Sequence, residues 1–275
     1  MSNPALNNNP ALNGKSLSAE ELRRIYDQPA AQTQRPGIDT PETTAQRPPI
    51  DAPSDKPMTY ENTINKIVML FVLVVAGAAV GWFVPILMIP GVIAGLVLGL
   101  VNAFKKEPSP GLIVAYAVAQ GLFLGGISGM LEGMFPGIVS QAVIGTLAVF
   151  AVTLLLFRSG KVRTSPKATK IFLIAMLGYL AFSVVNVILM FTGVTEGMFG
   201  ARNITVMGIP LGVIIGVLAV LLAAYSLVMD FEFVQNGVQN RVPEKWGWTA
   251  AFGITVTLVW LYLEILRILA ILRGD

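Results

Sequence analysis

From Ile67 onward the chain is a succession of apolar runs, and this feature limits the fold more than any other. The runs lie at about 65–84, 86–104, 110–131, 137–157, 171–193, 206–234 and 248–272. Crossing about 30 Å of hydrocarbon takes about 20 helical residues, and each run is near or above that length. Inside lipid every backbone N–H and C=O must be satisfied within its own segment, so runs of this kind read as helices. The expected fold is therefore an all-α membrane protein, a bundle of seven transmembrane helices. The breaks between runs carry turn-forming residues: Pro85, "KKEPSP", "FPG", "RSGKVRTSPK" and "QNRVPEKWGW". Trp82, Trp246 and Trp248 stand at run ends, where interfacial aromatics belong. Pro90 and Gly91 weaken the second run, so six helices with one re-entrant segment is the rival arrangement.

Residues 1–57 are a different material. "NPALNNNPALNG" nearly repeats itself, and Pro, Thr, Gln and Asp crowd the stretch from Pro29 to Pro57. Such a segment buries too little apolar surface to offset its ordering entropy, so it is expected to be disordered. One island departs from this. In "SLSAEELRRIY", Ser18 and Glu21 form a capping box, which predicts a short helix over about 19–26. No apolar stretch follows the amino terminus, so no signal peptide is expected and the tail stays inside. Residues 58–275 form the transmembrane domain.

Lysine and arginine set the expected orientation. The second, fourth and sixth connections carry Lys105, Lys106, Arg158, Lys161, Arg163, Lys167, Lys170, Arg241 and Lys245, whereas the alternate connections carry only Arg202. The positive-inside bias places the amino terminus inside and the carboxyl terminus outside. A net charge of +3 then reports topology, with some attraction to anionic lipid, and no nucleic-acid partner is needed.

The chain has no Cys and no His, which removes thiolate nucleophiles, Ser-His dyads and zinc motifs together. Gly126-Ile127-Ser128-Gly129 fits the GxSG pattern around an intramembrane serine nucleophile, but no imidazole or intramembrane Lys is available as its base. "GLFLGGISG" reads better as a small-residue face for close helix approach. No nucleophile–base set or cofactor loop is present, so the chain is not expected to be an enzyme. The carboxylates carry more information. Glu132 ends the third run, Asp230 lies in the sixth, followed by Glu232, and Glu264 and Arg267 lie in the seventh. Ionisable groups in a span face a bundle interior, a water path or a partner charge. The simplest partner for Glu264 is Arg267, at i, i+3 in the favourable order, and Asp230 has the alternative of a solvated helix end.

"GLFLGGISGMLE", "MDFEFVQNGV" and "LVWLYLEILRILAIL" resemble the third, sixth and seventh helices of the Bax inhibitor-1 family. "MTYENTINK" and "AAFGITVTLVWLYLEILR" are similar to its bacterial branch with a long Pro-rich tail. The resemblance covers roughly 58–275. It implies a seven-helix fold with the last helix central, in a bacterial inner or plasma membrane. It also implies a proton-sensitive calcium leak and, in some members, regulation of a membrane protease or of cell death. The family motif falls on Asp230 and Glu264 as a pair sharing the proton that holds the pore shut, with Glu132 where an acidic residue commonly ends the third helix. This sequence departs from the pattern with Glu264 where Asp is usual, Arg267 where a neutral polar residue is common, and no arginine in the second run.

Two carboxylates about 4 Å apart repel by about 4 kcal/mol at an effective dielectric of 20, and one shared proton removes that repulsion. The expected function is a pH-sensitive calcium or cation leak gated by Asp230 and Glu264, with calcium as permeant or bound ion and no other cofactor. Glu132 and Arg267 are supporting candidates. Two features oppose the shared proton. A guanidinium beside Glu264 favours its charged form, and counting residues along the two helices gives a difference in depth of about 10 Å, unless the seventh helix begins beyond the membrane and cancels it. Two alternatives stand beside the leak: a non-conducting scaffold that binds a membrane-protein partner through the tail, and a proton-coupled small-molecule carrier.

Overall fold

The computed structural model describes residues 56–195 and 198–274. The tail helix expected over about 19–26 lies outside these residues. Seven helices carry the fold: α1 Tyr60–Phe83, α2 Met88–Phe104, α3 Pro110–Met134, α4 Ile138–Arg158, α5 Pro166–Phe191, α6 Leu211–Gln239 and α7 Trp246–Gly274. Each is long and apolar enough to cross a membrane, α2 together with the 3-10 turn Pro85–Leu87 before it. The chain is a multi-pass membrane protein. α2 and α5 bury little besides Gly91 and Gly95 on the one and Phe172 and Asn186 on the other, and they turn Ile, Leu, Val and Phe outward. Such surfaces are stable in lipid and not in water.

Local chemistry fixes the helix starts. The Thr59 hydroxyl accepts from the Asn62 N–H at 3.2 Å to cap α1, and Ser165 caps α5 the same way through Ala168. Pro110 and Pro166 open α3 and α5, where a missing N–H costs nothing. Pro90 falls in the first turn of α2, so the second run is a continuous helix after its 3-10 start. The sixth run is shorter at its front than its hydrophobicity predicts. Thr205–Val206 and Ile209–Pro210 pair as a small antiparallel hairpin whose corner, Met207 and Gly208, has positive φ at both positions. Apolar composition hides this turn; only its glycine marks it.

The alternate connections gather at opposite ends of the bundle. At the near end, the Met58 N–H donates to the Val242 carbonyl at 2.8 Å and the Glu244 N–H to that of Lys56 at 2.7 Å. Lys56 and Pro57, expected to be tail, are thus fastened to the α6–α7 connection, and Met58 is buried in the apolar cluster of Leu227 and Phe231. At the far end, Arg273 donates to the carbonyls of Phe135 and Pro136 between α3 and α4.

α1, α2 and α3 pack through glycine. A Cβ on Gly125 would stand 2.0 Å from the Ala78 carbonyl oxygen, and one on Gly81 would stand 2.2 Å from that of Leu122. The backbones themselves are in contact, as the small-residue face of "GLFLGGISG" leads one to expect. α7 packs on α6, α1, α4 and α3.

Candidate functional site

The intramembrane charges gather on the seam between α6 and α7 and on the 3-10 turn Gly200–Asn203 beside it. Glu264, midway along α7, is 1% exposed. Its Oε1 accepts from the Tyr179 hydroxyl on α5 and from the Arg267 guanidinium one turn along α7. Its Oε2 faces Arg202 Nη1 at 3.5 Å in a second ion pair that has no hydrogen bond. One carboxylate therefore answers two guanidiniums.

Arg202 is set in place by several independent contacts. The Asn186 side chain on α5 accepts from the Ala201 N–H at 2.7 Å and donates to the Phe199 carbonyl, clamping the turn to the helix. Gly200 adopts φ +59°, and a Cβ there would meet Met190 and Asn186 within 2.8 Å. From this turn Arg202 runs inward and is 4% exposed. Its Nη2 donates to the hydroxyls of Ser183 at 3.2 Å and Tyr179 at 3.4 Å, and its guanidinium lies 5.5–5.6 Å from the rings of Phe182 and Tyr179. These are cation–π distances. A side chain from an end-loop thus completes a buried ion cluster.

Asp230 sits elsewhere. Its Oδ2 accepts from the Thr257 hydroxyl at 2.9 Å, and Thr257 is in turn bonded to Ser226 at 3.2 Å. Its Oδ1 lies over Gly253, where an added Cβ would be 2.7 Å away. Thr257 precedes Glu264 by about two turns of α7, so the two carboxylates are separated by about 10 Å along the helix. The structure does not bring Asp230 and Glu264 together as a proton-sharing pair, and no hydrogen bond joins them. The reason is the register of α6 on α7, which puts Gly253 and Thr257, and not Glu264, opposite Asp230.

Asp230 opens on a cavity of about 350 Å³ at the near end, lined by Asn102 of α2, by Lys105 just beyond it and by Phe233, Trp246 and Phe252 from α6 and α7. The two remaining acids bond to connections between helices. Glu132 accepts from the N–H groups of Gly137 at 2.6 Å and Val139 at 3.0 Å, satisfying the orphan donors at the start of α4. Glu232 accepts from Thr164 and ties the α4–α5 connection to α6. Ser128, of the GxSG pattern, is bonded to the Tyr262 hydroxyl at 2.7 Å, and among the described residues no Lys, Asp or Glu side chain bonds to it. Among the described residues, no group of three acids could hold a metal ion.

The sequence singles out Asp230, Glu264 and Arg267 as candidates; the structure adds Arg202 and Tyr179 to the contacts of Glu264. Arg202 did carry a signal as the lone cation of its set of connections; Tyr179 carried none. In the comparisons with known proteins, a family model described as "Bax inhibitor 1 like" matches residues 3–274. No curated protein matches the chain.

Proposed function

The chain belongs to the Bax inhibitor 1 family, and from that premise we propose that it is a pH-sensitive leak for cations, calcium among them, through its membrane. The near end faces the cytoplasm and the far end the outside, as the distribution of lysine and arginine indicates. The two carboxylates act in series along the α6–α7 seam. Asp230 is the proton-responsive element on the cytoplasmic side. Neutral, it offers a cation nothing; charged, it gives the cavity a negative floor. Glu264 is the outer constriction, held shut by Arg202, Arg267 and Tyr179.

The observation that carries this reading is the buried cluster at Glu264. A membrane scaffold has no evident use for a loop arginine laid against an intramembrane glutamate, since buried ion pairs are weak stabilisers and costly to leave half-made. A gate does have a use for it. The 3.5 Å pair without a hydrogen bond can be exchanged for solvent at less cost than a bidentate contact. Conduction then requires the Arg202 turn to leave Glu264 and the cation to pass with much of its water.

The test is cation flux into proteoliposomes across a pH series. The parent is expected to leak more as pH rises, Asp230→Asn to flatten that profile, and Arg202→Gln to raise the leak at every pH. An Asp230→Asn protein with the parent's profile would overturn the assignment of the proton-responsive group.

A further inference from the structure

The cavity above Asp230 has a chemistry that a route for hydrated metal ions does not require. It is about 350 Å³, within the range of small-molecule sites, and three of its walls are the rings of Phe233, Trp246 and Phe252. Phe252 is held by an edge-on contact with Tyr116 at a centroid distance of 5.0 Å. At the floor, Asp230 Oδ2 is taken by Thr257, while Oδ1 has no donor among the described residues and is left uncovered by Gly253. We propose that this cavity is a binding site for a small organic ammonium ion, its cationic head on Asp230 and its alkyl groups against the three rings.

Complementarity argues for this occupant over the others. Aromatic faces and a carboxylate are the groups that recognise alkylammonium ions. A bare calcium ion wants six to eight oxygens, and the side chains of the walls offer one carboxylate with the Asn102 and Thr249 oxygens. An acyl chain would gain from the rings but would bury the free Asp230 oxygen against hydrocarbon. Lys105, exposed at the rim, faces the site from the α2–α3 connection and repels a cation there, so the ligand sits deep. The cavity of about 450 Å³ beside Lys66 already holds a cation of the protein's own, since the Lys66 ammonium donates there to Asn62 and to Glu244.

Binding of radiolabelled choline to the full-length protein in detergent, by equilibrium dialysis, tests the site without reference to conduction. Saturable binding is expected. Its neutral carbon isostere, 3,3-dimethylbutan-1-ol, should compete poorly. Asp230→Asn should weaken binding about tenfold or more, the usual effect of losing one charge-assisted contact. Gly253→Ala, which keeps the charge but covers the oxygen, should also weaken it, and Lys105→Gln on the exposed rim should tighten it about twofold to threefold by removing a screened repulsion. Absence of saturable binding, equal competition by the neutral isostere, or weaker binding by Lys105→Gln would each overturn the proposal. So would an Asp230→Asn protein of parental helix content that binds choline as tightly as the parent. A failure of the leak in proteoliposomes would leave this binding result standing.

Discussion

The seam between α1 and α3 and the seam between α6 and α7 are both built from long apolar helices, yet they are fastened by opposite means. In the first, Gly77, Gly81, Gly121 and Gly125 bring backbone against backbone with no room for a methyl group. In the second, the Thr257 hydroxyl of α7 reaches Asp230 of α6, and farther along α7 Glu264 takes the Tyr179 hydroxyl of α5 and faces the Arg202 guanidinium of the 3-10 turn. Dispersion contacts at a glycine seam all weaken together once the helices separate. Polar contacts can be exchanged one at a time for water or for an ion. One side of the bundle is thus a fixed frame, and the other is a surface that can rearrange at modest cost.

Substitutions that exchange these properties sharpen the contrast. The largest effect is expected at Arg202. Arg202→Ala leaves Glu264 with one guanidinium and removes a buried ion pair, so unfolding in detergent should be easier by about 3–5 kcal/mol. The same variant should leak more. A stable, tight Arg202→Ala protein would make the cluster incidental. Next is Gly125→Ala, which drives a methyl into the Ala78 carbonyl and should cost up to about 3 kcal/mol, with no change in the pH profile of the protein that still folds. Gly111→Ala, in open space at the start of α3, is its control and should be neutral or slightly stabilising. Gly200→Ala should cost about 1–3 kcal/mol through its positive φ, and should raise the leak because it disturbs the turn that aims Arg202.

The smallest effect lies outside the membrane. A side-chain hydrogen bond with Asn62, and then the Lys66 ammonium 3.4 Å away, hold the Glu244 carboxyl below its ordinary value of 4.5. A depressed carboxylate stabilises the fold above its ordinary value, and that contribution is lost as pH falls through the lower, folded one. The melting temperature of the parent should therefore fall slightly more than that of Glu244→Gln as pH drops below 4.5. Parallel melting curves would show that this near-end contact adds nothing.

The two seams were unequally legible in the sequence. Apolar runs and their punctuation located the helices, because membrane crossing demands length and hydrophobicity and little else. The glycines of "GLFLGGISG" announced a close approach, since only small residues allow one. Asp230, Glu264 and Arg267 stood out because charge is costly in a span. Partners were harder. Pairing depends on the register of two helices, which hydrophobicity does not encode, and a shift of two turns sends Asp230 to Thr257 instead of Glu264. Tyr179 looks like any interior aromatic, and Arg202 looks like a loop cation until the Asn186 clamp turns it inward. Glu132 stands out in the sequence as an acid at a helix end, but its bonds to Gly137 and Val139 depend on how the chain turns into α4, which composition does not encode.

The claim on which the rest depends is that Asp230 and Glu264 are two separate sites in series. A double-mutant cycle on the leak rate, with Asp230→Asn, Glu264→Gln and the double variant at one pH, tests it most directly. Sites this far apart should add to within about 0.5 kcal/mol when rate ratios are converted to free energies. A coupling well above 1 kcal/mol would mean that the carboxylates share a proton after all and would contradict the account.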